Sequence, residues 1–246
     1  MTREAKYHMS SADTVASAPL FAPQAAENLA PIWHTIVLSG LVYGPVILAL
    51  YVHRNPNAGI SNIFVYLFVS LYELLIIVFT CVGLLAGGSS LRQILSEKSQ
   101  GWYRTVSLGI AIGVLTVAIT VSVHILFGSF YSEPDATSFL PTTAPEIATF
   151  VLSMCIVVFA EELVFRGYLL HQIRGWNRSA GRAVILQAAA FVAAHGLHQT
   201  VAGVTDKLLF GLLLGWVAVK CRNLFPGIVA HLFGNFVFLA LGLLGR

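Results

Sequence analysis

Seven stretches of this chain, about 32–52, 60–86, 104–128, 147–170, 183–198, 206–220 and 224–244, are apolar enough to lie in a bilayer. A helix crossing the hydrocarbon core needs roughly 20 such residues. Lipid offers a backbone no hydrogen-bond partner, so a spanning segment must satisfy its own polar groups, as a helix does. Composition agrees, with 57% hydrophobic and only 10% charged residues, where a soluble domain carries about 25% charged. The expected fold is all-α, a polytopic transmembrane helix bundle of about seven spans.

Loop charges give the expected orientation. Counting alternate loops from an inside N-terminus, the inside set holds Arg3, Lys6, Arg92, Lys98, Arg104, Arg174, Arg178, Arg182, Lys220 and Arg222, and the outside set holds Arg54, Lys207 and Arg246. Ten basic residues against three is the asymmetry of the positive-inside rule. The 129–146 loop carries Glu133, Asp135 and Glu146 and no base, which suits the outside. The expectation is a multi-pass protein of the plasma (inner) membrane with a cytoplasmic N-terminus. A formal net charge of +3, spread over loops, argues topology rather than nucleic-acid binding.

The expected organisation is a flexible tail over 1–31, variable N-terminal membrane helices over 32–128 and a helical core carrying the chemistry over 146–246. The tail lacks the roughly 7–15-residue apolar run of a signal peptide after its basic residues. Cys81, Cys155 and Cys221 form no CxxC or Cys/His ligand spacing and are expected to be inert thiols. Gly40–Gly44, Gly83–Gly87, Gly109–Gly113 and Gly211–Gly215 have GxxxG spacing, expected to serve helix packing within the bundle.

Against this apolar background three polar groupings stand out. Ile147 to Ala160 carry no charge, and then Glu161, Glu162 and Arg166 fall within six positions. A charge at a bilayer centre costs about 2.5–3.5 kcal/mol on insertion scales, so such residues are read as functional by default. On an α-helix Glu162 and Arg166 lie four apart on one face and can pair. Glu161 lies about 100° around the axis. It is left without a full counter-charge, the condition in which a buried carboxyl can take and release a proton near neutrality. The second grouping is Phe191 and His195, four apart in the fifth span, and the third is His231 and Asn235, four apart in the seventh.

Each grouping alone also reads as packing or hydrogen bonding. Together their depths agree. At about 1.5 Å per residue from the inner span ends, Glu161 lies roughly 13 Å deep, His231 roughly 10 Å, Asn235 roughly 16 Å and His195 roughly 18 Å. A carboxylate beside a histidine can deprotonate water, and two donors opposite can receive the oxygen of an attacked carbonyl. The chain has no HExxH helix, GxSxG elbow or Gly-x-Gly-Asp motif, and Asp206 is the only acid after Arg166. No cofactor is expected, although a zinc site using Glu161, His195 and His231 stays open by residue type.

The ordered triple E-E-x-x-x-R, F-x-x-x-H and H-x-x-x-N on successive helices resembles the CAAX prenyl endopeptidase family, which also takes in bacteriocin-processing and immunity-type membrane proteins. Phe210 to Gly215, leading to Pro226 and His231, looks like the same pattern, and the match covers about Glu146 to Leu241. The resemblance implies an intramembrane glutamic-type endopeptidase acting on membrane-associated peptides. By it, Glu161 and His195 activate water, His231 and Asn235 form the oxyanion hole, and Glu162, Arg166 and Phe191 support them. The alternatives are a non-catalytic immunity factor or scaffold, and a proton-coupled transporter. Glu73 lies mid-span in the variable part and is expected to make a packing hydrogen bond.

Overall fold

The computed structural model describes residues 29–52, 62–96, 101–127, 140–196 and 199–244. These form α1 (Ile32–Val52), α2 (Asn62–Ala86), α3 (Leu91–Ser96), α4 (Trp102–Leu126), α5 (Ala144–Glu161), a π-helical segment (Glu162–Leu169), α6 (Leu170–Asn177), α7 (Ala180–Ala194), α8 (Val201–Cys221) and α9 (Phe225–Leu244). Among the described residues there is no strand, only an isolated bridge between Ser96 and Asn223.

Among the described residues five helices are long and apolar enough to cross a membrane: α2, α4, the continuous stretch Ala144–Asn177, α8 and α9. With two shorter apolar helices, Ile32–Ile47 and Ala180–Ala194, there are seven apolar helices, roughly consistent with the expected seven spans. The chain is thus an all-α, multi-pass membrane protein. Of the expected 1–31 tail, 1–28 lies outside the described residues. Ala30 is buried, and its carbonyl accepts a bond from Gln172 Nε2 at 3.4 Å.

Among the span boundaries that differ from expectation, two lie next to the polar layer. α7 stops at Ala194, and at 15 residues it rises only about 22 Å. α8 starts at Val201, so Asp206 and Lys207 are helical, although the charge count placed Lys207 in an outside loop. The reason is a cap: the Thr200 hydroxyl accepts from Gly203 N at 3.1 Å and starts the helix before its apolar run begins. Hydropathy registers apolar length and not capping.

α4 packs most extensively on α9, α7 on α8 and α2 on α5. The GxxxG glycines set two of these contacts. Gly109 and Gly113 of α4 lie against Val229 and Phe233 of α9, and Gly211 and Gly215 of α8 lie against Ala188 and Gln187 of α7. Gly40 and Gly44 face open space. Polar bonds add to the packing. The Gln187 amide donates to the Gly211 carbonyl at 2.7 Å. His34 Nε2 donates to the Phe79 carbonyl at 2.9 Å, so its Nδ1 accepts from the Tyr168 hydroxyl, also at 2.9 Å. That chain of bonds ties α1 and α2 to the π-helical segment. α5 begins with a capping box in which Thr143 and Glu146 satisfy each other's backbone amides.

A side chain at Gly109 would run into Val229 and the Pro226 carbonyl. Gly109→Leu is therefore expected to destabilise the protein by about 1–3 kcal/mol, while Gly40→Leu shifts it by no more than about 0.5 kcal/mol. Thermal unfolding of the detergent-solubilised variants checks both.

Candidate active site

The candidate site forms where α5 gives way to the π-helical segment. Glu161 is the last residue of α5, and Glu162 to Leu169 follow with the wider π turn. Single π turns inside helices are rare and frequent at functional sites. The expectation was a continuous α-helix, since an E-E-L-V-F-R string carries no sequence mark of a π turn.

Glu162 and Arg166 make the expected pair, with Arg166 Nη1 donating to Glu162 Oε1 at 3.1 Å. Both are fully buried, at 1% and 0% exposure. Burying two charges is strongly unfavourable unless they are paired and packed. The Arg166 guanidinium accordingly lies over the Phe191 ring at 4.4 Å, with Phe210 at 5.7 Å, where ring quadrupoles favour the cation. Phe191 is held edge-on by Phe165, with centroids 5.2 Å apart. Gly227 of α9 leaves room for the acid, since a Cβ there would sit 3.1 Å from Glu162 Oε2.

Glu161 turns to the histidines instead. His195 Nε2 lies 3.9 Å from Glu161 Oε1, and His231 Nε2 lies 3.7 Å from Glu161 Oε2. His195 is the C-cap of α7 rather than a residue within it. Its Nδ1 donates to the Phe191 carbonyl at 2.8 Å, so a neutral ring offers the lone pair of Nε2 toward Glu161. The Phe191 and His195 rings still meet, 4.4 Å between centroids. Asn235 lines a cavity with His195 and His231. The four residues that sequence reasoning grouped by depth are therefore neighbours: Glu161 with both histidines, and Asn235 through the shared cavity.

One contact was not foreseen. His231 Nδ1 lies 3.0 Å from Glu162 Oε1, a buried hydrogen bond between residues 69 apart in sequence. The carboxylate can only accept, so Nδ1 carries the proton and Nε2 faces Glu161. Phe210 also escaped notice as a site residue. Its ring meets His231 edge-on at 4.7 Å and helps to enclose Arg166. Its only sequence signal was its place in the Phe210-to-Gly215 pattern. Glu73 makes no hydrogen bond among the described residues and lines a cavity with Glu161 and His195, so the packing bond expected of it is not found. Among the described residues no group of three or more His, Cys, Asp or Glu side chains is arranged to hold a metal ion.

A family model described as Type II CAAX prenyl endopeptidase Rce1-like matches residues 142–237, the stretch that contains Glu161, Glu162, Arg166, His195, His231 and Asn235. No curated protein matches the chain, and no solved structure does.

The buried pair makes a test of its own. Arg166→Met leaves Glu162 buried with His231 as its one remaining partner among the described residues, and is expected to cost about 3–5 kcal/mol. The double variant Glu162→Gln/Arg166→Met removes the orphaned charge and should recover part of that loss. Comparing the unfolding midpoints of the two proteins decides it.

Proposed function

We propose, from the premise that residues 142–237 belong to the CAAX prenyl endopeptidase family, that this chain is a membrane-embedded endopeptidase hydrolysing membrane-associated peptides with water activated by Glu161 and His195. The observation that carries this reading is the meeting of Glu161 with two imidazoles at 3.7 and 3.9 Å inside a membrane helix bundle.

Glu161 and the neutral His195 ring present two acceptors, Oε1 and Nε2, at 3.9 Å. That separation exceeds a direct hydrogen bond. Two facing acceptors suit a water molecule, whose two O–H groups can donate to both. One acceptor then takes the proton as the water oxygen attacks the scissile carbonyl, and later delivers it to the leaving amine.

The developing oxyanion requires donors. The Asn235 amide supplies one on the His195–His231 cavity. His231 has a stricter condition. With Nδ1–H committed to Glu162, Nε2 donates only when the ring is an imidazolium. On this reading Glu162 orients the His231 ring through Nδ1–H, and Arg166 pairs with Glu162. Prenylated C-terminal peptides, which name the family, are one substrate class to test.

The test uses purified protein in liposomes with membrane-tethered peptides. Glu161→Ala is expected to lower cleavage about 10²–10⁴-fold, the range for loss of a general base, and His231→Ala to lower it comparably. A chelator should leave wild-type cleavage unchanged. Cleavage surviving both substitutions would remove the site assignment, and activity lost to a chelator and restored by zinc would replace the metal-free mechanism.

A further inference from the structure

Two cavities share His195 as part of their walls. One, about 490 Å³, lies among α1, α2, the α5–π junction and α7, and Glu161 faces it. The other, about 200 Å³, lies among α4, α7, α8 and α9 and is lined by His231 and Asn235. Each holds one charged side chain outside the catalytic group with no hydrogen-bond or ion-pair partner among the described residues. In the larger cavity it is Glu73, and in the smaller it is Lys207.

Their neighbours are already committed. Tyr72, which lines the larger cavity, donates its hydroxyl to the Leu41 carbonyl. Asp206, which lines the smaller one, accepts from the Thr120 hydroxyl. The rest of the larger cavity is apolar side chains from α1, α2, α5, the π segment and α7. An uncommitted charge within a membrane helix is unfavourable and marks a functional position by default. Both lie beside the proposed reacting centre: Glu73 lines the larger cavity with Glu161 and His195, and Lys207 lines the smaller with His195 and His231. They are opposite in sign and sit in different cavities.

We propose that Glu73 and Lys207 form a charge-polarity filter, so that the site prefers a peptide with a cationic group on one side of the scissile bond and a carboxylate on the other. The inference rests on the peptidase reading and adds the substrate's charge pattern to it. The larger cavity suits an apolar segment carrying one cation, which Glu73 meets. The smaller cavity offers the Lys207 ammonium and the Asn235 amide to an acidic side chain or a terminal carboxylate, with the Asp206 carboxylate held back on the α4 side by the Thr120 hydroxyl. The same charges reject the wrong orientation, since an acid in the larger cavity would face both Glu73 and Glu161.

The experiment uses the full chain in phosphatidylcholine liposomes with tethered reporter peptides that differ only around the cleaved bond. One set carries lysine or norleucine before the bond and glutamate or glutamine after it. A second reverses the order, and a third compares a free with an amidated C-terminus beside the bond. Wild type is expected to favour each matched charge by about fivefold in kcat/KM, mainly through KM, the size of a modest ion pair. It should also favour one order over the other.

Glu73→Gln should abolish the preference for lysine and keep that for the carboxylate. Lys207→Met should do the reverse, Lys207→Arg should retain both preferences, and Lys207→Gln replaces the methionine variant if that one fails to fold. Equal cleavage of charged and neutral peptides by wild type, equal cleavage of both orders, or a preference that survives its matched variant overturns the filter alone. A wild type that cleaves no peptide overturns the peptidase reading, and the filter with it.

Discussion

Arg166 and Glu162 face each other at 3.1 Å with neither side chain open to solvent. Charges this deep in a membrane protein persist only where the surrounding structure supplies what water would have supplied. Here part of that supply comes from four elements, while Arg166 Nε and Nη2 and Glu162 Oε2 have no hydrogen-bond partner among the described residues. The π-helical segment carries both residues, Phe191 of α7 and Phe210 of α8 enclose the guanidinium, and His231 of α9 bonds the carboxylate. Removing the pair would release the constraint that brings α7, α8 and α9 to one point.

The site inherits its geometry from that anchor. His231 is oriented by Glu162, and its free nitrogen faces Glu161. His195 is oriented by the Phe191 carbonyl, and Phe191 is itself the floor beneath Arg166. The π turn sits at the same junction, so adjacent acids in sequence take separate tasks: Glu162 faces the arginine and Glu161 the histidines and the larger cavity. Behind this layer, the His34 bonds to Tyr168 and to the Phe79 carbonyl fasten the segment to α1 and α2, the two helices that supply part of the wall around Glu73.

Much of this was legible from local pattern. The Glu162–Arg166 pair follows from a spacing of four, and the neighbourhood of Glu161, His195, His231 and Asn235 followed from depth along separate spans. What escaped were contacts with no local signature. The Glu162–His231 bond joins residues 69 apart, the π turn leaves no mark in its residue types, and Lys207 was placed in a loop because hydropathy does not see the Thr200 cap. Glu73 was read as a packing residue because nothing along its own helix shows what lies across from it.

The sequence by itself determined that this chain is a bundle of membrane helices with a polar layer inside it, because apolar run length and the cost of bare backbone in lipid leave no other economical arrangement. It also determined which residues are chemically able to act there. Only the tertiary structure decided which acid faces which histidine, that His231 is oriented by Glu162, and that Glu73 and Lys207 stand in two cavities sharing a wall at His195. Those relations depend on how helices rotate against one another, and rotation is set by packing between segments far apart in the chain, which a pattern read along one helix does not encode.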